Sequence, residues 1–490
     1  MSKTKKPRMR ILPSFAERIL ARVAAVQRKR FRAKNPVPTI GVTGSVGKTT
    51  TSRMIAEILK VDYGTVALST SQAAWLGDEV VRSGDCSRGD LAECMYFDPR
   101  TKAGVFELAR GSLIDRGMIL KSVDVGVVLN VRDNHVGQQG IQSREEMARL
   151  KSVVAQRALK MAVLNADDPL CLEMRDCVSA EQFCLVGTDS ENRALICHKA
   201  DGGPVALLEG GDCLSLYDNR TLIGSMRAAE IPASWGGRYK PVAINALYAM
   251  AATYGVGVDF SAIKQRLSRF QSSPETNIGR MNFIDDLPYS LWITWASGID
   301  AQNALVDFFS HHEVSGRKFA LLTYIGNRPD ELIVATGKKF AASFTDFIVS
   351  DWVDLRGRAP GETPALLARG LLKGGIDAER ITHCGSFVEG LEKAFSLAST
   401  DDLLVVNSYS GEEVWRRSRR YVVRNVASVV NEENFEPVQD AHLDLPVVDR
   451  YGIDRAEESV SILTALRYNL ALRSRLDNWR RNRSIRLRRD

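Results

Sequence analysis

The hydrophobic pattern alternates between two kinds of segment along the chain. Short runs rich in Val, Leu and Ala show no polar alternation, which is typical of parallel strands covered on both faces; examples are TIGVTG, AGVFELA, VDVGVVLNV and MAVLNA. Between them lie stretches with apolar residues at helical spacing, the first over residues 49–60. This alternation predicts an α/β fold with a mostly parallel sheet.

Two such α/β units follow each other. A helical stretch at 241–255 precedes the turn-rich sequence RFQSSPETNIGR, after which strand-like runs resume with KFALLTYIG, TDFIVSD and DLLVVNS. We therefore predict a large central domain over 37–275 and a smaller Rossmann-like C-terminal domain over 276–428. Helical extensions are expected at 1–36 and 429–490, the first helix beginning at a Ser14/Glu17 capping box.

The two extensions carry most of the positive charge. The net charge is +7, while residues 1–35 hold twelve Lys or Arg against one Glu and residues 471–490 hold eight Arg against two Asp. The helix predicted over 14–34 either contacts an anionic surface (a membrane, a nucleic acid or an acidic polymer) or packs on its own domain; we favour the second. Nucleic-acid binding ranks last, because no aromatic stacking platform or known module accompanies the basic ends.

Cysteine usage and hydropathy indicate the compartment. The eight cysteines are scattered without a CxxC or zinc-like spacing, which favours reduced thiols. No run of 18 uncharged apolar residues exists, and no apolar stretch typical of a secretory signal follows the basic N-terminus. We expect a cytoplasmic protein, with peripheral membrane contact through the N-terminal helix as an open alternative.

Residues 41–50, GVTGSVGKTT, have the composition of a phosphate-binding loop between a strand and a helix. Val42 breaks the general pattern G-x-x-x-x-G-K-[ST], but the narrower T-G-x-x-G-K-T fits from Thr43 to Thr49. Backbone N–H groups at a helix N-terminus suit phosphate, Lys48 adds charge, and the Thr49 hydroxyl suits Mg²⁺. We predict that ATP is bound by Thr43, Gly44, Ser45, Val46, Gly47, Lys48, Thr49 and Thr50.

Further segments resemble one family, in order along the chain. GDCSRGDLAECMYFDPR, VFELARGSL, VGVVLNVRDNHVGQQGI, LNADDP and DLRGRAPGE are similar to motifs of the Mur ligases, most of all to the Mur-type half of the cyanophycin synthetases. The resemblance runs from about residue 37 to 420. It implies a P-loop Mur-type central domain, a C-terminal lid, and ATP- and Mg²⁺-dependent joining of a carboxylate to an amine through an acyl phosphate.

The resemblance also implies roles for residues around the phosphates. Lys48 would contact the β- and γ-phosphates, and Thr49 would bind one Mg²⁺. Glu107 would bridge metal, and His135 would ligate the second ion. A lone histidine such as His135 would ordinarily be interpreted as a core or loop residue. Because His135 lies in a seventeen-residue stretch that resembles the family, we favour the metal-ligand role over that interpretation.

Other matching residues lie farther along the chain. Asn245 matches an asparagine that approaches the nucleotide base, and Arg280 matches a linker arginine that reaches ATP across the domain cleft. Arg356 and Arg358 match the lid, where their spacing suits carboxylate or phosphate recognition, with surface salt bridges as a close alternative. The Asp167–Asp168 pair of LNADDP is expected to shape a turn.

The hydrophobic pattern itself places Lys151 at a position where a charged residue is unusual. Ser143 and Glu146 form a capping-box pattern that predicts a helix over 144–158. Lys151 occupies an apolar-face position of this helix, together with Met147, Leu150 and Val154. Burial lowers a lysine pKa, and a neutral amine can add CO₂; the corresponding lysine of many Mur ligases is carbamylated and ligates Mg²⁺. Snorkelling at the helix edge is the alternative.

Three departures from the family pattern affect the expected activity. The family's Asp-His pair is Asn134-His135 here, and the DYAHNP segment that lines the nucleotide site is replaced by TWASGI at 294–299. The ATP-grasp half of the cyanophycin synthetases has no counterpart in this sequence. We therefore expect an ATP-dependent acid–amino acid ligase working alone or with a separate ATP-grasp subunit, or alternatively a catalytically degenerate ATP-binding scaffold.

Overall fold

The computed structural model describes residues 26–27, 29–87, 90–118, 120–133 and 136–429. Within these residues the chain is an α/β protein with one large, mostly parallel sheet and one smaller sheet, which confirms the predicted fold class. The domain boundaries stay predictions. The C-terminal extension and most of the N-terminal helix lie outside the described residues.

The large sheet has eleven strands in the order β11–β10–β9–β8–β7–β6–β1–β5–β2–β3–β4. Its centre, from β2 to β9, is parallel, whereas β3–β4 and β10–β11 add antiparallel hairpins at the two edges. The strands are β1 (Thr39–Thr43), β2 (Val66–Ser69), β3 (Ala73–Leu76), β4 (Glu79–Ser83), β5 (Ala103–Glu107), β6 (Val123–Val128), β7 (Ala158–Asn165), β8 (Gln182–Gly187), β9 (Val205–Glu209), β10 (Cys213–Asp218) and β11 (Thr221–Arg227).

Helices cover both faces of this sheet. The helices of this part of the chain are α1 (Lys48–Tyr63), α2 (Asp90–Tyr96), α3 (Arg110–Arg116), α4 (Arg144–Gln156), α5 (Pro169–Leu172), α6 (Arg193–Ala200), α7 (Lys240–Tyr254), α8 (Phe260–Leu267) and α9 (Pro274–Asn277). Helix α7 is alanine-rich and almost wholly buried, since it packs beside α1 across the central strands. On β6, a side chain at Gly126 would come within 2.2 Å of the Val154 carbonyl oxygen, so glycine lets α4 lie directly on the sheet.

The smaller sheet has the order β12–β13–β17–β14–β15–β16, parallel except for β12. Its strands are β12 (Asn282–Ile284), β13 (Ser290–Thr294), β14 (Lys318–Leu322), β15 (Asp346–Ser350), β16 (Ile381–Cys384) and β17 (Leu403–Asn407). The accompanying helices are α10 (Ile299–Ser310), α11 (Asp330–Phe340), α12 (Glu362–Lys373), α13 (Phe387–Leu397) and α14 (Gly411–Val429). Strands β14, β15 and β17 fall where the hydrophobic runs predicted them.

An aromatic cluster joins the two α/β units. Trp235, from the turn before α7, lies with its ring centroid 4.5 Å from that of Trp292 of β13 in a tilted arrangement, and meets Phe283 of β12 edge-on at 5.5 Å. Tyr239 packs against Phe308 of α10 in the same region. Because aromatic burial is strongly stabilising, this cluster holds β12, β13 and α10 of the smaller unit against the turn before α7.

The described end of the basic N-terminal helix packs on the large sheet's unit. Residues 29–34 are helical, and Arg32 is buried. Its guanidinium donates to the carbonyl oxygens of Asp98 (2.8 Å) and Asn35 (3.2 Å) and lies 5.0 Å from the Tyr96 ring centroid. These contacts favour packing on its own domain for this segment.

Asp168 has the turn-forming role expected for LNADDP. Its side chain is fully buried, caps α5 by accepting from the Leu170 N–H (3.2 Å), and accepts from the Val131 N–H (2.8 Å). Arg132 adds a contact at 3.3 Å. The carboxylate thus ties the end of β7 to the segment after β6, next to the phosphate-binding loop.

Replacing Asp168 with alanine is expected to lower the free energy of unfolding by about 2–4 kcal/mol, because two backbone donors lose a charged acceptor inside the protein. Urea unfolding measures the change. The matched control is Asp176→Ala, whose carboxylate is largely exposed and pairs with the neighbouring Arg175, and which should change stability little. Equal effects of the two substitutions would contradict the assigned role.

Candidate functional site

The loop between β1 and α1 forms one wall of the site. Gly47 has φ 89° and precedes α1, whose N-terminus has no side-chain cap. A side chain at Gly47 would come within 2.5 Å of the Asn245 Oδ1 atom on α7, so the loop passes close against that helix. The uncapped N–H groups and the positive end of α1 provide what an anion such as phosphate requires.

Asn130, which our sequence reasoning missed, holds this loop in shape. Its Oδ1 atom accepts from the Ser45 and Val46 N–H groups, both at 3.0 Å, and its Nδ2 donates to the Val46 carbonyl at 3.2 Å. The Ser45 hydroxyl accepts from the Arg132 N–H. Asn130 follows β6, the parallel neighbour of β1, and that position at a strand's carboxyl end was the signal that could have identified it.

Glu107 lies at the bottom of the site, at the carboxyl end of β5, and is 2% exposed. Its Oε2 atom accepts from the Thr49 hydroxyl at 2.9 Å and from the Ser71 N–H at 3.1 Å. The Ser71 hydroxyl lies 3.1 Å from that of Thr49. Ser71, the second residue missed from sequence, comes from the turn after β2, the other parallel neighbour of β5.

These three side chains form a compact set of oxygen donors. Carboxylate and hydroxyl oxygens are the ligands that Mg²⁺ prefers. Among the described residues no cluster of three or more His, Cys, Asp or Glu side chains could hold a metal ion. The donor set fits Mg²⁺ bound partly through water and phosphate oxygens.

Lys151 is buried on the apolar face of α4, as predicted, and is 2% exposed. Its ammonium group donates to the Gly44 carbonyl at 3.0 Å. Burial, followed by the nearby charge of Lys48, lowers its pKa to about 7. A lysine amine with a pKa this low is partly neutral at neutral pH, which is unusual.

Lys48 and Arg280 bring two further cations to Glu107. The Lys48 Nζ lies 4.0 Å from Glu107 Oε1, and its side chain is 18% exposed. Burial lowers the pKa of both cations, while the Glu107 charge opposes this shift in each. Lys48 and Arg280 thus act on one buried carboxylate, and Lys151 lies close enough to Lys48 to feel its charge. This excess of positive charge suits a polyanion.

The remaining loop residues have largely structural contacts. Thr43 donates its hydroxyl proton to the Leu108 carbonyl at 2.8 Å. Thr50 accepts from Asn277 at 3.4 Å, which connects α1 to the segment leading to Arg280. His135 and its neighbour Asn134 lie outside the described residues, so the second metal ligand stays a prediction.

The two lid arginines differ in their surroundings. Arg358 donates to the Gly326 and Arg328 carbonyls and pairs with Asp330 at 2.7 Å, contacts that all lie within the smaller α/β unit. Arg356 pairs with Asp354 at 2.5 Å and lies over the Trp352 ring. The geometry favours a structural interpretation for Arg358.

A cavity of about 860 Å³ separates the loop from the smaller sheet. Val46 and Arg132 line it on one side, and Ser297, Gly298 and Arg356 on the other. The second half of the segment 294–299, from Ser297 to Ile299, therefore faces the cavity shortly after β13. Trp295 of that segment packs edge-on against Tyr409, at 5.8 Å.

Comparisons with known proteins show which sequences this chain resembles. Residues 42–226 match the Mur ligase middle domain. The chain is 33% identical over 339 residues to the cyanophycin synthetase of Synechocystis sp., in an alignment that covers 69% of this chain and 38% of that protein. The chain thus spans about two fifths of the length of the curated relatives it matches.

Two solved structures show the same fold. MurF from Acinetobacter baumannii is similar with a TM-score of 0.57 and 17% identity, covering 82% of this chain and 80% of that one. The MurF ligase from Thermotoga maritima in complex with ADP is similar with a TM-score of 0.54 and 18% identity, covering 86% and 88%. In the described part of the chain, no helix has the length and apolarity needed to cross a membrane.

Proposed function

Because the chain belongs to the Mur ligase family, we propose that it is an ATP- and Mg²⁺-dependent ligase that joins a carboxylate to an amine. The observation that carries the proposal is the approach of Lys48 and Arg280 to the buried Glu107, beside an uncapped helix N-terminus whose loop also binds Lys151 through the Gly44 carbonyl. The ADP complex of the similar MurF ligase supports a nucleotide as the polyanion.

In this proposal, ATP phosphates bind the N–H groups of α1 and the ammonium group of Lys48. Arg280 reaches the nucleotide from the segment that joins the two α/β units, and Asn245 borders the same loop. These groups are fixed before substrate arrives, since Asn130 already holds the loop. Preorganised positive charge stabilises the phosphoryl group during transfer more effectively than mobile solvent does.

Thr49, Ser71 and Glu107 would hold Mg²⁺, with His135 as the ligand of a second ion. Bound there, Mg²⁺ would neutralise charge on the phosphate oxygens during transfer. The partly neutral amine of Lys151 can add CO₂ to form a carbamate, and in that form Lys151 would be a further metal ligand. Its contact with the Gly44 carbonyl keeps the amine next to the loop.

The proposed reaction has two steps. A substrate carboxylate oxygen attacks the γ-phosphorus of ATP, which releases ADP and forms an acyl phosphate. An amine nitrogen then attacks the acyl carbon, loses a proton and displaces inorganic phosphate, leaving an amide. The chain's contribution is to orient both reactants and to exclude water, for which the cavity between the two α/β units has room.

A catalytically degenerate ATP-binding scaffold is the second candidate function. The replacement of the family's nucleotide-lining segment by TWASGI favours it, because the segment borders the interdomain cavity and brings no carboxylate or imidazole to it. A separate ATP-grasp subunit is a further proposed partner. The basic termini would then serve to hold an acidic polymer, a membrane surface or an acidic partner.

The test is ATP consumption with Mg²⁺ across pools of amino acids and acidic peptides. The ligase proposal predicts release of ADP and phosphate that requires both a carboxylate and an amine, and hydroxylamine should trap the acyl phosphate as a hydroxamate. ATP binding without turnover in any pool, and with no turnover after addition of an ATP-grasp protein, would instead support the scaffold function.

A further inference from the structure

A second cavity, of about 500 Å³, lies between α1, strands β2–β4 and residues 266–276. It shares no lining residue with the cavity between the two α/β units. Its walls combine the indole of Trp75 and the ring of Phe270 with three arginines, Arg53, Arg266 and Arg269. The volume suits a small organic ligand.

Arg53 is the most unusual of these residues. It is 7% exposed, and its guanidinium carbon lies 4.2 Å from the centroid of the Trp75 ring. Its Nη1 atom is buried without a hydrogen-bond partner, and Arg53 forms no ion pair within the described part of the chain. Burial lowers the pKa of Arg53 to about 10, and the nearby charge of Glu57, which is itself paired with Lys60, opposes this shift only in part.

The other two arginines are also without carboxylate partners. The Nε atom of Arg266 is buried with no hydrogen bond, and neither Arg266 nor Arg269 forms an ion pair with any residue that the structure describes. Among the lining carboxylates, Glu57 and Asp78 both bind Lys60, at 2.6 and 2.8 Å. Glu275 is the remaining lining carboxylate, set against three guanidinium groups.

A buried guanidinium group without an anion is costly, because it loses hydration that nothing in the protein replaces. Planar guanidinium groups match carboxylate and phosphate oxygens, whereas Trp75 and Phe270 match a flat apolar body. We propose that this cavity binds a small organic anion in which a carboxylate or phosphate is attached to a flat apolar group.

The location gives the site a connection to the nucleotide loop. Arg53 lies on α1, the helix that begins at Lys48, and the opposite wall includes Ser273 and Thr276, close in sequence to Arg280. A ligand in the cavity therefore contacts both the P-loop helix and the segment that joins the two α/β units. The proposal goes beyond the proposed ligase function and does not depend on it.

The experiment uses phenyl phosphate and phenylacetate as probes, with benzyl alcohol as the uncharged counterpart. The indole N–H resonance of Trp75, assigned with Trp75→Phe, is followed by NMR without nucleotide, so that ligase activity does not enter. We expect a saturable shift with one or both anions and none with benzyl alcohol. A response to only one anion would identify phosphate or carboxylate as the preferred group.

The Arg266→Met/Arg269→Met variant should weaken binding of the responding anion by about tenfold or more, since charged hydrogen bonds are lost. Arg175→Met/Arg193→Met, which alters two arginines of a separate surface cavity, is the matched control and should bind as the parent does. Arg53→Met tests the buried guanidinium group in the same way. The Arg266→Met/Arg269→Met variant decides the test, because these two side chains are less buried and their replacement disturbs the fold less. Unchanged affinity in that variant, or no saturable shift with either anion, would overturn the proposal.

Discussion

Lys48→Ala is expected to lower kcat for ATP consumption by about 10²–10³-fold while the protein stays folded. This is the range seen when one preorganised group that stabilises transition-state charge is removed. Lys48 is positioned for this role because its ammonium group lies at the start of α1 and only 4.0 Å from Glu107. Loss of the Lys48 ammonium group also removes one positive charge beside Glu107, so the site is expected to bind the triphosphate more weakly.

The measurement is steady-state release of ADP and phosphate with the substrate pool that supports turnover, together with the nucleotide dissociation constant. Lys60→Ala is the matched control, since Lys60 lies on the same helix and its ion pairs with Glu57 and Asp78 are away from the loop. That variant should retain parental kcat. If Lys48→Ala kept more than about a tenth of parental kcat, the loop would not be the site of phosphoryl transfer.

The central elements were predictable because their signals are local. The strand, glycine turn and helix around Lys48 follow one another directly over residues 39–63, and the runs that became β5, β6 and β7 are mostly apolar, without the polar alternation of a half-exposed strand. Lys151 was identifiable by periodicity alone, since a lysine in an apolar-face position must be buried or extend to the helix edge.

The residues that sequence reasoning missed have partners distant in the chain. Ser71 and Asn130 reach the site only because β2 pairs with β5 and β6 pairs with β1. Nothing in their own neighbourhoods indicates this pairing, since a serine after a strand and an asparagine in a loop are common turn residues. The aromatic junction around Trp235 was missed for the same reason, because its partners lie in β12 and β13.

The edges of the large sheet were also beyond the sequence analysis. Strands β3, β4, β10 and β11 are short or partly exposed and pair antiparallel, so they lack the continuous apolar runs of the central strands. Hairpin β3–β4 nevertheless contributes Trp75 to the cavity beside α1. The alternation of apolar strand-like runs with helical segments therefore identifies the parallel core. It does not predict the edge hairpins, which line cavities such as the one beside α1.

Lys151→Met is expected to make the protein less active and, below pH 7, more stable. The amine is ordinarily protonated in the unfolded chain up to about pH 10.4, but in the folded protein its pKa is about 7. Between these values the unfolded state binds a proton that the folded state does not, so the parent's stability rises with pH across this window. Below pH 7 both states are charged, and burial of the ammonium group costs on the order of 3–5 kcal/mol.

Methionine fills the same apolar position without charge, so it removes both this cost and its pH dependence, although it also loses the hydrogen bond to the Gly44 carbonyl. Urea unfolding at pH 6 and pH 9, in metal-free and CO₂-depleted buffer, should show a stability gain at pH 6 that shrinks or reverses at pH 9. Activity should fall about 100-fold if a carbamate on Lys151 binds metal, a loss within the range for removing one group that stabilises transition-state charge.

Lys121→Met, at an exposed lysine, is the control and should change neither stability nor its dependence on pH. A Lys151→Met protein that is less stable than the parent at both pH values, with the same slope between them, would mean that Lys151 is not the group whose charge the fold suppresses. Full activity in that variant would exclude the metal-binding role even if the stability prediction held. The two readouts thus separate burial of the amine, which the fold imposes, from its proposed use in the reaction.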